Sequence, residues 1–283
     1  MPEAERPAPG PRGGDAPAPP AQDWRAADLR LLEDAAREAG RLAMRRFGGA
    51  LDSWDKGGGQ GPVSEADLEI DRMLRAELRA ARPDYGWLSE ETEDDPARLD
   101  AERVFVVDPI DGTRAFIAGQ PTFAHSLAVV EGGRPQVGVV FLPAKERMFA
   151  ARAGAGSTLN GARLTHGGRE TLEGAAALTG AAQLAPELWP GGPPPVRRHF
   201  RSSLAYRLCL VGSGRFDAMI TLRDAWEWDV AAGELIAAEA GAVVTDARGA
   251  PTRYNGPRAR LPGMIAAAPA LHPQIMARLR RAD

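Results

Sequence analysis

From Asp23 onward, Leu29, Leu32, Ala36, Ala39 and Ala43 recur at helical spacing. With Asp23 as the capping residue, this predicts a helix running to about Phe47. The following SWDKGGGQGPVSEAD holds four glycines and a proline and reads as a flexible loop. Ser64 opens a second helix with Ile70, Leu74 and Leu78 on one face, and Pro83 ends it. The apolar run Val104–Val107 predicts a short strand that delivers Asp108 at its end. Residues 123–143 read as two strands joined at Gly132–Gly133, a hairpin, and 147–164 as a strand followed by turns. The prolines at 186, 190 and 193–195 mark a loop. Beyond it, 201–220 predicts helix, glycine break and strand. Residues 228–241 predict a helix beginning at Asp229 and closed by Gly241. Strands follow in 242–255 and 263–268.

Helices and an antiparallel-looking sheet in the first half, then strands alternating with helices, predict a mixed α+β and α/β protein of two subdomains. The expected division is a disordered Pro/Ala-rich tail over 1–22, an N-terminal α+β subdomain over 23–175 and a C-terminal α/β subdomain over 176–283. The junction is soft, within 165–185.

Composition narrows the function. Apolar residues make up 44% of the 283, enough for a sizeable core, and 35 basic against 38 acidic residues leave a net charge of −3. That balance gives no reason to expect a nucleic-acid polymer as partner. The single cysteine, Cys209, excludes an internal disulfide framework and a cysteine-rich zinc site, fits a reducing cytoplasm, and reads as a packed core thiol. No stretch approaches the ~20 apolar residues of a membrane span, and the first 22 residues lack the apolar centre of a secretory signal.

Four acidic clusters carry candidate chemistry: Asp67 in PVSEAD, Glu90–Glu91 in LSEETE, Asp108 and Asp111 in DPIDGT, and Asp229 in EWDVAAG. Each has a plain structural explanation when taken alone. Ser64-x-x-Asp67 matches a capping box, Asp229 a helix N-cap, Glu90–Glu91 and the following TEDDPARLD surface charge, and Asp-Pro with Asp-Gly turn chemistry. DPIDGT after an apolar strand is sharper. Two carboxylates three residues apart on a tight turn can face one point, and hard oxygen ligands suit Mg²⁺. The Ile110 carbonyl between them is a further candidate ligand. The amides of Gly112 and Thr113 would open a short helix through Arg114, Phe116 and Ile117 and could cradle phosphate.

Lys56, Pro62-Val63-x-x-Ala66-Asp67, Ser89-Glu90-Glu91, Asp108-Pro109-Ile110-Asp111-Gly112-Thr113 and Trp228-Asp229-x-Ala231-Ala232-Gly233 together, in this order and at these spacings, resemble the inositol monophosphatase-like family. The resemblance covers about residues 25 to 270. It implies a layered α-β-α-β-α sandwich of the inositol monophosphatase/fructose-1,6-bisphosphatase type, acting as a Mg²⁺-dependent, Li⁺-sensitive phosphomonoesterase on a small phosphorylated metabolite. By motif, Glu90, Asp108, the Ile110 carbonyl, Asp111 and Asp229 would bind the first two Mg²⁺ ions, and Asp67 would serve a third, weaker one or orient water. Thr113 with Asp67, or Glu90, would accept the proton of the attacking water. A homodimer is the family's usual habit. The scattered His125, His166, His199 and His272 are assigned no catalytic role.

Among the family's branches, DGTRAFIAGQPTF, RSSLAYRLCLVGSGRFDAMI and EWDVAAGELIAAEAGAVVTD look like the bacterial 3'(2'),5'-bisphosphate nucleotidases. Inositol-directed members usually carry a Glu several residues before the Trp-Asp pair, where this chain has Thr221 and Leu222. Arg223 adds positive charge there, suited to a second phosphate; its plain reading is a solvated loop cation. The nucleotidase branch implies hydrolysis of 3'-phosphoadenosine 5'-phosphate to AMP and phosphate. Inositol 1-phosphate and histidinol phosphate are the alternatives. A non-enzymatic sensor or scaffold is disfavoured because none of the motif acids is missing.

Overall fold

The computed structural model describes residues 23–49, 52–55, 62–190 and 192–279. The expected tail over 1–22 and Lys56 of the glycine loop lie outside the described residues. In chain order the elements are α1 (Trp24–Arg46), β1 (Ser53–Asp55), β2 (Pro62–Ser64), α2 (Glu65–Ala81), β3 (Gly86–Ser89), β4 (Arg103–Asp111), α3 (Thr113–Ile117), β5 (Ala124–Glu131), β6 (Arg134–Leu142), β7 (Arg147–Arg152), β8 (Gly156–Leu159), β9 (Ala162–Arg163), β10 (Ala175–Thr179), β11 (Val196–His199), α4 (Leu204–Gly212), β12 (Ala218–Thr221), β13 (Ala225–Trp226), α5 (Glu227–Glu239), β14 (Val243–Thr245), β15 (Arg260–Leu261), β16 (Met264–Ala267) and α6 (His272–Arg278).

Strands β3 to β9 form one seven-stranded sheet in sequence order, antiparallel except for the parallel β3–β4 pair. The predicted hairpin is its centre, turning at Gly132 and Gly133, both at positive φ. The turns expected after β7 include two further strands, β8 and β9, too short for an alternating pattern to reveal. A second sheet of order β11-β10-β12-β16-β14 mixes parallel and antiparallel pairs.

Side-chain alternation along β4, β5 and β6 feeds two cores. Phe105, Val107, Leu127, Val129 and Val139 pack under α1 and α2. Val104, Val106, Ala128, Val130 and Val140 pack against α4 and α5, whose other contacts are Leu178, Met219 and Ala266 of the second sheet. That sheet's far face, with Ala177, Ile220 and Ile265, is covered by Leu271 and Ile275 at α6. The result is the expected five-layer α-β-α-β-α sandwich. A periodic apolar face explains each outer helix. The double-sided burial of α4 and α5 explains why their sequences are apolar all round.

Close approach is built from small residues. A Cβ on Gly138 of β6 would lie 2.9 Å from the Ala232 carbonyl oxygen of α5. One on Gly233 would lie 2.8 Å from Leu208 Cβ of α4. The acidic stretch 92–100 is not all surface charge: Arg98 is buried. It binds Asp94 at 2.6 Å and Asn255 Oδ1 at 2.6 Å, tying this stretch to the loop before β15.

Candidate active site and metal centre

Asp108 and Asp111 end β4, where the ladder with β5 breaks register. Asp108 pairs with Ser126 and Asp111 with Ala124, so three steps on β4 match two on β5. In a regular strand, residues three apart face opposite sides of the sheet. The bulge re-aims one of them, so both carboxylates act on the same neighbours. Pro109 sits in the bulge, its carbonyl held by the buried His125 Nδ1 at 2.5 Å. The Ile110 N–H donates to Asp108 Oδ1 at 2.9 Å. Gly112 follows at φ +98°, and a side chain there would approach the Thr122 carbonyl oxygen to 3.3 Å. Only glycine meets both conditions.

Glu90 arrives beside Asp108 because β3 runs parallel to β4 with Ser89 opposite Val107. Its N–H donates to the Val107 carbonyl at 3.3 Å. Asp229 comes from α5. That helix begins at Glu227 with Trp226 as its cap, so the expected N-cap role of Asp229 is corrected: it is the third residue of the helix. Position three of a first turn favours a carboxylate near the positive helix end and leaves its side chain to other partners. Ser126 Oγ donates to the Trp228 carbonyl at 2.9 Å, fixing this helix end to β5 opposite Asp108. Carboxylate oxygens of Glu90, Asp108 and Asp229 consequently lie within 4.8 Å of one another.

Asp111 stands beside them. Its Oδ2 accepts from Ser203 Oγ at 2.6 Å and from the Ala205 N–H at 2.7 Å. The buried pair Asp67 and Thr113 forms the flank. The capping box is present as predicted, with Asp67 Oδ2 accepting from the Ser64 N–H at 2.9 Å and hydroxyl at 2.5 Å. The other Asp67 oxygen faces the Thr113 hydroxyl at 3.2 Å, which also lies 3.1 Å from the Ile110 carbonyl oxygen. Thus Asp67 serves as cap and as hydroxyl partner at once.

Electrostatics singles out the same residues. Burial, then repulsion from Glu90, Asp111 and Asp229, pushes the Asp108 carboxyl well above the usual range. Burial and then Asp111 and Glu90 do the same to Asp229. Burial raises Asp111 to about 6 against the hydrogen bonds it accepts, and raises Asp67 to about 6. These acids repel one another and resist ionisation, and all present hard oxygen donors. A divalent cation among them would cancel both effects, so the donor set fits Mg²⁺. Burial also holds His125 neutral, lowering it to about 4.

Arg207 on α4 is buried, lowered to about 10 by burial, and its charge opposes that of Asp111. Arg223 is exposed, as a loop cation should be, yet its charge reaches both Asp229 and Arg207. Sequence reasoning missed Arg207, Ser203, Ser126 and the propping role of His125. Signals existed for two of them: Arg207 interrupts the apolar LAYRLCLV run, and Ser203 precedes it as a helix cap. Cys209 is buried in the core as expected.

Acidic side chains converging where a bulged strand meets the buried helical layer of a five-layer sandwich define a layered phosphatase. Residues 25–283 match the Inositol monophosphatase family, and the chain belongs to it. It is 38% identical over 236 residues to the inositol-1-monophosphatase of Rhizobium meliloti (strain 1021), covering 80% of this chain and 87% of that one. It is 35% identical over 215 residues to the fructose-1,6-bisphosphatase/inositol-1-monophosphatase of Thermotoga maritima, with 75% and 82% covered. The crystal structure of the extragenic suppressor protein suhB from Bartonella henselae superposes with a TM-score of 0.77 at 30% identity, covering 91% of this chain and 100% of that one. Among the described residues, no helix is long and apolar enough to cross a membrane.

Proposed function

We propose that the chain is a Mg²⁺-dependent, Li⁺-sensitive phosphomonoesterase whose ions are held by Glu90, Asp108 and Asp229, with Asp111, the Ile110 carbonyl and Asp67 completing the sites. The observation that carries this reading is the approach of Glu90, Asp108 and Asp229 to within 4.8 Å of one another from just past β3, from β4 and from α5. Bound there, Mg²⁺ would neutralise the ester dianion and acidify a water. The protein's own part is positioning and proton movement. Thr113 can donate its hydroxyl proton to Asp67 while its oxygen accepts one from the attacking water. With a carboxyl raised to about 6, Asp67 is a base matched to neutral pH. The N–H groups of Gly112 and Thr113 open α3 without intrahelical partners and can bind the phosphoryl oxygens. Ser64 and Ser203 fix the orientation of Asp67 and Asp111.

For the substrate, the buried Arg207 and the exposed Arg223 beside the acids favour a second anionic group. Thr221 and Leu222, where inositol-directed members usually carry an acid, present no carboxylate to a polyol hydroxyl. We infer 3'-phosphoadenosine 5'-phosphate as the preferred substrate. Inositol 1-phosphate is the second reading, favoured by the name of the Rhizobium relative. Side-by-side kcat/KM values for these two and histidinol phosphate, with Mg²⁺ and with added Li⁺, test the proposal. A dominant inositol phosphate rate overturns the substrate assignment. No phosphate release from any of them overturns the activity.

A further inference from the structure

On the other side of the segment that carries Ser203, four cationic side chains converge on a cavity of about 180 Å³. Lys145 and Arg147 come from the β6–β7 connection and β7, Arg201 from the segment before α4, and Arg215 from the turn after it. Thr122 and Tyr206 complete the polar lining, and no acidic side chain contributes to it. Among the described residues, no carboxylate forms an ion pair with any of the four cations, although the chain as a whole is net acidic. Two of them are held in place by contacts that leave the charge unmatched. Arg147 donates to the Tyr206 hydroxyl at 3.1 Å, and Arg201 lies over the Phe216 ring at 5.6 Å from its centroid.

Like charges gathered around an enclosure repel one another unless an anion sits between them. Pre-positioned guanidinium groups are the usual partners of tetrahedral oxyanions. We propose that this pocket is a second anion site, separate from the acid cluster, for a free phosphate-sized oxyanion. Its volume is below the ~300–1,000 Å³ of ordinary small-molecule sites, so it suits a phosphate ion with a few waters and excludes a nucleotide. Arg201 marks the boundary between the two sites. Its side chain lines the pocket, while its carbonyl accepts from Arg207 Nε at 2.5 Å on the side facing Asp111.

Calorimetric titration of the full chain with inorganic phosphate tests this. Two phosphates per chain are expected with Mg²⁺ and one with EDTA, because the acid cluster stripped of its ions repels anions. The EDTA-resistant site should weaken at least tenfold in Lys145→Gln/Arg147→Gln and measurably in Arg215→Gln, whose exposed side chain puts the fold at no risk. Melting curves confirm that both variants are folded. Absence of saturable binding in EDTA, or unchanged affinity in the two variants, overturns the proposal. So does a dimer whose own carboxylate fills the pocket, detected as a mass that falls to that of a monomer in Arg215→Gln.

Discussion

Ser203 joins the two halves of the site, and its removal can be worked out in advance. Its hydroxyl accepts from the Tyr206 N–H at 2.9 Å as the cap of α4 and donates to Asp111 Oδ2 at 2.6 Å. Ser203→Ala deletes both interactions at a fully buried position. Loss of a serine cap costs about 1 kcal/mol, and loss of a hydrogen bond to a charged group about 1.5–3 kcal/mol. A combined loss of about 3 kcal/mol corresponds to roughly 5 °C in Tm for a chain of this size. The larger part should depend on pH. The Ser203 bond lowers the Asp111 carboxyl against burial, so its loss matters most above about pH 6, where Asp111 is charged. The cap contribution persists in acid. Differential scanning calorimetry of wild type, Ser203→Ala, Asp111→Asn and the double variant, each at pH 5 and pH 8, isolates the pair. A coupling energy under about 0.5 kcal/mol at pH 8, or a loss equal at both pH values, would refute the reasoning.

Further outcomes follow from the acids and the glycines. Asp67 and Asp111 titrate about two units above the ordinary 3.8 when folded. The stability each contributes is present below about pH 4 and is lost as pH rises through about 6. His125 acts oppositely, losing its contribution as pH falls from 6.5 towards about 4. The gain in Tm from Mg²⁺ over EDTA, in which His125 cancels, should therefore be larger at pH 8 than at pH 5; a pH-independent gain contradicts this. Asp108→Asn should raise the Tm of the EDTA-treated protein by relieving repulsion, while abolishing both the Mg²⁺ gain and phosphate release. A lower Tm in EDTA would count against the repulsion argument. Gly233→Ala places a methyl 2.8 Å from Leu208 Cβ and should cost about 1–3 kcal/mol by overpacking, read from urea denaturation midpoints.

The outer helices and the central hairpin were legible because periodic apolar faces and a Gly-Gly turn are local signals. Strands β8 and β9 were not, since two to four residues carry no periodicity. The start of α5 was misplaced by two residues because Asp229 looks like a cap. What displaces it is Glu227, a buried helical residue whose carboxylate accepts from the Asn255 and Gly256 N–H groups, a partnership no local pattern announces. The motif acids were readable by kind and spacing. The bulge that turns Asp108 and Asp111 towards common neighbours was hinted at only by Pro109. Arg98, lost among acidic residues in sequence, is buried by partners some 157 positions away.

Two of the three clustered acids, Glu90 and Asp108, come early in the chain, whereas Asp229 rides on a helix wedged between the two sheets. During synthesis the early acids leave the ribosome more than a hundred residues ahead of the last. If the proposed ion binds there, the chelate would stay unfinished until α5 inserts, and capture of the ion would signal that the two sheets have closed on their shared helical layer.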